Sequence, residues 1–166
     1  PLDDNPAPVT RHAESTNETL SFVDLSGSGT PAVCTGTGCP ATAERGRLGN
    51  AILFDGVDDS LTVFDVALNL AGNAYSFGAW VKPEAGSGDD ALLAFGADGA
   101  LPSSLLLYRQ STGQFVYWDS VSGEHSSSAV TPDEWYHVWV TIGADNSATL
   151  YVNGGLEATF STSARP

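Results

Sequence analysis

The sequence predicts an all-β sandwich or barrel, and three observations carry the prediction. Apolar residues come in short runs of about four to eight, far below the length of an ordinary helix. Gly, Asp, Asn, Ser and Pro separate the runs, and the 18 glycines and 9 prolines supply turns between them. The third observation is alternation. In Trp135–Ile142, Tyr136, Val138, Val140 and Ile142 fall on one face and His137, Trp139 and Thr141 on the other. The first set is the better core face.

Taken in order, the candidate strands are Leu20–Val23, Ala51–Phe54, Ser60–Val63, Tyr75–Val81, Ala91–Phe95, Ser104–Arg109, Gln114–Trp118, Ser127–Val130, Trp135–Ile142, Ala148–Val152 and Leu156–Phe160. Asn5–Thr19 is polar and contains proline, so it reads as a surface loop, and Ala85–Asp90 reads as another. Asp145-Asn146-Ser147 and Asn153-Gly154-Gly155 suit tight hairpins, because Asn and Gly accept positive φ cheaply. The last three strands therefore form an antiparallel meander. No repeat or internal linker interrupts the 166 residues, so residues 1–166 read as a single domain, long enough to bury its own core.

Charge narrows the function. Twenty acidic side chains face six basic ones, for a formal charge of −14 and a pI near 4.1. Such a surface repels phosphate backbones and anionic lipid, so neither a nucleic acid nor a membrane surface is an expected partner. No run approaches the ~18 apolar residues of a membrane helix. The opening Pro-Leu-Asp-Asn-rich segment has neither the basic flank nor the apolar stretch of a signal peptide. Abundant carboxylates serve solubility, and clusters of them suit a hard cation such as calcium.

Cys34 and Cys39 are the two cysteines, separated by Thr35-Gly36-Thr37-Gly38. No nearby His or Cys completes a zinc set, so the pair reads as a disulfide across a short flexible loop, with free thiols as the alternative. A disulfide implies an oxidising compartment. Asn17-Glu18-Thr19 is a glycosylation sequon, relevant only where the source modifies Asn.

Several segments resemble, in order, a known family. Gly49-Asn50-Ala51-Ile52-Leu53-Phe54-Asp55-Gly56-Val57-Asp58-Asp59 is similar to the "GNAL-FDGVDD" signature of laminin-G-like jelly rolls in the concanavalin A-like lectin/glucanase superfamily. Tyr75–Pro83 resembles that family's "T-I-x-A-W-V-K-P" strand, and Glu134–Thr141 its "W-H-H-V-A-V-T" strand. Leu150-Tyr151-Val152-Asn153-Gly154 resembles its "L-Y-V-D/N-G" hairpin, and Asp24–Gly29 its "D-x-S-G-N-G" loop. The resemblance implies a two-sheet antiparallel jelly-roll sandwich. Trp139 stands where the family usually has a small residue. The family's flanking first and last strands have no counterpart in this sequence, so the segment is expected to need cover from flanking residues, a neighbouring domain or another subunit.

The resemblance implies functions unevenly, because its motifs are mainly structural. Glucanases of this fold place carboxylates in a Glu-x-Asp-x-x-Glu strand, where alternation lets them straddle a glycosidic bond. No such pattern occurs, and Asp133-Glu134 reads as a strand-entry turn, so the chain is expected not to be an enzyme. The family often carries one structural calcium, and Asp24, Asp55, Asp58 and Asp59 are the candidate ligands here. A glycan site would combine aromatic stacking with polar groups, and Tyr108, Arg109, Tyr117, Trp118, Asp119 and Trp139 are the candidates, with His137 beside Trp139. Trp80 is expected to pack between the sheets. The expected role is an extracellular, non-catalytic recognition or adhesion module that binds a glycan or an extracellular protein. The alternative is a structural repeat or fibre subunit assembling with neighbouring copies by strand exchange. A diverged glycoside hydrolase is a third reading, disfavoured by the missing carboxylates.

Overall fold

A computed structural model of the chain describes residues 19–23, 30–64, 73–96 and 102–162. The chain divides into two compact units, residues 1–68 and 69–166, which are described in turn.

In the first unit, β1 (Thr19–Phe22) pairs antiparallel with β2 (Ala32–Thr35). A 3-10 turn over Gly36–Gly38 follows, with Gly36 at φ 63°, and brings Cys39 back to Cys34. The two cysteines form a disulfide with Cα atoms 5.1 Å apart, as expected. β3 (Ala41–Arg45) and β4 (Asn50–Leu53) make a second antiparallel pair. Neither β2 nor β3 was expected. Ala-Val-Cys-Thr and Ala-Thr-Ala-Glu-Arg offer small or charged side chains rather than a large apolar alternation, so pairing, not side-chain pattern, makes them strands. Conversely, Ser60–Val63 is not a strand. It contributes one bridge, in which Thr62 and Val33 exchange two hydrogen bonds of 2.8 Å.

The second unit is a sandwich of two four-stranded antiparallel sheets. One consists of β6 (Asp89–Phe95), β7 (Ser104–Arg109), β8 (Gln114–Asp119) and β9 (Gly123–Ala129), joined in sequence order. The other has the order β12 (Gly155–Ser161), β11 (Ser147–Val152), β10 (Tyr136–Ile142), β5 (Tyr75–Val81). The expected meander of the last three strands is present, and its turns use positive φ at Asn146 (68°), Asn153 (51°) and Gly154 (80°).

Two strands begin two residues or more before their expected starts, and other boundaries shift by a single residue. β6 begins at Asp89, inside the expected loop, because Asp89 pairs with Arg109 and Gln110 holds both Gly88 N–H and Asp90. β9 begins at Gly123 rather than Ser127, and its serine-rich sequence carries no apolar alternation.

The inner faces of the two sheets form the core. Leu106, Tyr108, Phe115 and Tyr117 meet Val138, Val140, Ile142, Leu150 and Phe160, with Tyr117 stacked on Phe160 at 5.0 Å. Removing such side chains from water stabilises the fold by roughly 1.5–3 kcal/mol each. The alternation expected for β10 holds: Val138, Val140 and Ile142 are buried, while His137, Trp139 and Thr141 lie on the outer face. Side chains also join the edges of the two sheets. His125 of β9 stacks on Phe160 of β12 at 3.9 Å, and Glu157 of β12 accepts a hydrogen bond from Ser128 N–H of β9 at 2.7 Å.

Candidate functional site

Three places hold the residues with binding chemistry. The first is the acidic turn after β4. Asp55 accepts hydrogen bonds from Val57 N–H (2.8 Å) and Asp58 N–H (3.4 Å), and Asp59 accepts one from Asp55 N–H (2.7 Å). Gly56, at φ 74°, permits the tight reversal. Carboxylate oxygens of Asp55, Asp58 and Asp59 lie within 4.8 Å of one another. The turn is anchored to the disulfide loop by Ser60 N–H on the Gly38 carbonyl at 2.9 Å. Hydrogen bonding from Val57 N–H, the main influence, holds the Asp55 carboxyl below its usual range despite some desolvation. All three donors are hard oxygens, so the set fits a calcium-like cation and not a soft metal. Asp24 lies outside the described residues.

The second place is the outer face of the β12–β11–β10–β5 sheet. Trp80 of β5 and His137 of β10 are cross-strand partners, with ring centroids 5.2 Å apart. The His137 and Trp139 rings lie 5.5 Å apart. Trp139 sits opposite Gly78 on one side and Tyr151 on the other. Trp80 is 40% exposed, so the expectation that it packs between the sheets is corrected. The reason is parity: Phe77, Ala79 and Val81 take the inward positions of β5, which leaves Trp80 outward with Gly78.

The third place is the outer face of the other sheet. Arg109 of β7 reaches Asp89 on β6 at 3.2 Å and Glu124 on β9 at 2.9 Å, so one guanidinium spans the sheet. Glu124 is held below the usual carboxylate range by this bond, and Arg109 is held protonated. Trp118 lies on the same face, paired with Leu105 and Glu124.

The expected glycan set is therefore not brought together. Tyr108 and Tyr117 are fully buried core residues, and burial pushes both hydroxyls above their ordinary range.

 
Tyr117 and Trp118 are neighbours on β8 and so point to opposite faces; Tyr117 takes the core and Trp118 points outward. Asp119 is also buried: it accepts hydrogen bonds from Val121 N–H (2.8 Å), Ser122 N–H (2.6 Å) and the Ser122 hydroxyl, and so shapes the β8–β9 turn. Arg109 is committed to two carboxylates. Trp118 and Trp139 lie on opposite sheets, so no described ligand surface contains both. The residues missed were Trp80, as a surface group, and Tyr151. Parity counted from Val138 across the paired strands would have found both.

A family model for the concanavalin A-like lectin/glucanases superfamily, of laminin G type, matches residues 55–166, about two thirds of the chain. The chain belongs to this family. A search of curated proteins found no match. The concanavalin A-like superfamily spans binding proteins and hydrolases alike, as its description states, so membership accounts for the sandwich without choosing a chemistry. In this laminin-G-like chain the matched region takes in the Asp55–Asp59 turn and both four-stranded sheets. No described helix is long and apolar enough to cross a membrane.

Proposed function

We propose that the chain is an extracellular, non-catalytic recognition module, binding carbohydrate or protein through the outer face of the β12–β11–β10–β5 sheet. The observation that carries this reading is the aromatic group Trp80, His137 and Trp139, whose neighbouring ring centroids lie 5.2 and 5.5 Å apart on an outward face. Large aromatic side chains left at a surface offer wide contact area at little conformational cost, which is why they anchor binding sites. The Cys34–Cys39 disulfide supports an oxidising, extracellular setting. The absence of a Glu-x-Asp-x-x-Glu strand from the sequence supports a binding role over hydrolysis. The Asp55–Asp59 turn takes the part of a structural calcium site, holding the loop after β4.

The test uses arrays of extracellular glycans and proteins, probed with the full chain and with Trp80→Ala and Trp139→Ala. Both variants should lose the wild-type binding while retaining its far-ultraviolet circular dichroism and a cooperative unfolding transition. Binding that survives both substitutions would remove this face from the function.

A further inference from the structure

The face that carries Trp80, His137 and Trp139 keeps its charges at the rim. β5, β10 and β11 contain no Asp, Glu, Lys or Arg at all, in a chain of formal charge −14. Glu84 follows β5, Asp133 and Glu134 precede β10, and all three are exposed. Asp133 N–H donates to the Pro83 carbonyl at 2.8 Å, which ties these two acidic segments together beside the Trp80–His137 pair. Lys82 is also exposed, two residues beyond Trp80 on the same side, so this rim sets one ammonium against three carboxylates.

The centre of the patch is aromatic and apolar. Gly78, Trp139, Tyr151 and Leu156 are successive cross-strand partners, so Trp139 and Tyr151 stand side by side with Leu156, 64% exposed, closing their row. Trp80 and His137 make the neighbouring row. An uncharged aromatic centre inside a charged rim is the anatomy of a protein–protein contact, and Trp and Tyr are the residues that dominate the energy of such contacts. Leu156 adds to this: it offers contact to an apolar side chain and no hydrogen bond to a polar ligand.

Charge then sets the sign of the partner. An acidic protein, or a second copy of this chain at −14, is repelled by the rim and by the field of the whole molecule. A basic segment is attracted by both. Arg and Lys also suit the centre, because cations are drawn to the faces of Trp and Tyr and a planar guanidinium stacks on such rings. Their aliphatic stems can cover Leu156. The opposite sheet is less suited, because Arg109 already pairs with Asp89 and Glu124 on its outer face.

We propose that this patch docks a basic segment of a partner protein, with Arg or Lys side chains on the Trp80 and Trp139 rings and Glu84, Asp133 and Glu134 as their counter-charges. The inference rests on the recognition reading above and names the chemistry of its partner.

The experiment is fluorescence anisotropy of the full chain at low salt with two labelled peptides, one a repeat of Arg-Leu-Ser and the other the same repeat with Glu for Arg. The Arg peptide should bind about tenfold or more tightly than the Glu peptide. Trp80→Ala should weaken it by about tenfold. Glu84→Gln with Glu134→Gln should weaken it by about fivefold, whereas Asp89→Asn with Glu124→Gln, which removes the same charge from the opposite sheet, should change it by less than about twofold. Lys82→Gln removes the opposing charge and should tighten binding by about twofold, a gain that a misfolded variant would not give. Equal or tighter binding of the Glu peptide, indifference to Trp80→Ala, equal effects of the two charge pairs, or no gain from Lys82→Gln would each overturn the inference. If an arrayed glycan binds in a Trp80-dependent way and the Arg peptide does not, the recognition reading stands and the basic-partner inference falls. Trp139-dependent self-association in sedimentation, without peptide binding, would overturn it in favour of a second copy of the chain.

Discussion

Trp139 lies across Gly78. The two residues are cross-strand partners on β10 and β5, and a Cβ on Gly78 would collide with the Trp139 ring and the Val138 carbonyl, and would come within 2.9 Å of Trp139 Cα. The glycine is thus a slot that lets a large ring approach the neighbouring strand. Gly78→Ala should destabilise the protein by about 1–3 kcal/mol, the usual range for overpacking. Because the Val138 carbonyl is backbone, the Gly78→Ala, Trp139→Ala double variant should recover only part of that loss. Urea unfolding of the single and double variants checks both statements, and full recovery would show that the ring alone sets the constraint.

Asp119 should govern part of the acid stability. Burial pushes its carboxyl up, but hydrogen bonds from the Ser122 hydroxyl and amide, Thr162 and Val121 N–H outweigh burial and leave it below its ordinary value. A carboxyl depressed in the folded state stabilises the protein above its unfolded pKa of about 3.9, and that contribution is lost as pH falls through the folded value. Asp119→Asn should lower stability at neutral pH by about 1–3 kcal/mol and flatten the stability curve on the acid side. Unfolding midpoints measured between about pH 3 and 7 would expose the effect, and parallel wild-type and variant curves would refute it.

Arg109 holds Asp89 and Glu124 together over β8. Both carboxylates are well exposed, so the pairing is worth little: Arg109→Ala should cost at most about 1 kcal/mol, less at high salt. A loss of several kcal/mol, insensitive to salt, would mean that the arginine stem matters through packing instead.

The Cys34–Cys39 bond closes a short loop, so its loss should cost about 2 kcal/mol in the first unit. Hydrogen exchange after Cys34→Ser, Cys39→Ser substitution should show faster opening of β1 and β2, with β7 and β8 unaffected. Uniform loss of protection throughout the chain would contradict a local effect.

The acidic turn gives the metal prediction. Calcium bound to the folded state raises the thermal midpoint by mass action, and Asp58→Asn with Asp59→Asn should remove that response. A melting curve indifferent to calcium and to chelator would end the structural-cation reading.

Much of the second unit was legible because its strands bury one face. Tyr75–Val81 and Ser104–Arg109 match their expected bounds, and Ala148–Val152 falls short by one residue. Where one face is buried, period-two patterning is a direct imprint of the core. β2, β3 and β9 were illegible or shortened because Ala, Ser and Thr dominate them and leave no such imprint. The candidate site was legible only in part. His137 and Trp139 came from a clean alternation, whereas Tyr108 and Tyr117 were chosen by residue type, and type does not say which side of a sheet a residue takes. Trp80 was misassigned for the converse reason: a large aromatic in a family-like strand reads as core until its parity is fixed against the partner strand.

The place of β5 has a consequence for how the sandwich assembles. β6 to β9 each bond to the strand next in sequence, as do β10 to β12, so both groups can form through short-range contacts. β5 instead joins β10, and the entire β6–β9 sheet lies between them in the chain. The entropy of closing that long loop therefore falls on a single pairing, and the two meanders can precede it. Substitutions in the β7–β8 hairpin should then change the folding rate, and substitutions along β5 mainly the unfolding rate, a division that stopped-flow kinetics would reveal. The aromatic face, which needs β5 for Trp80 and β10 for Trp139, would be the last surface of the sandwich to come into being.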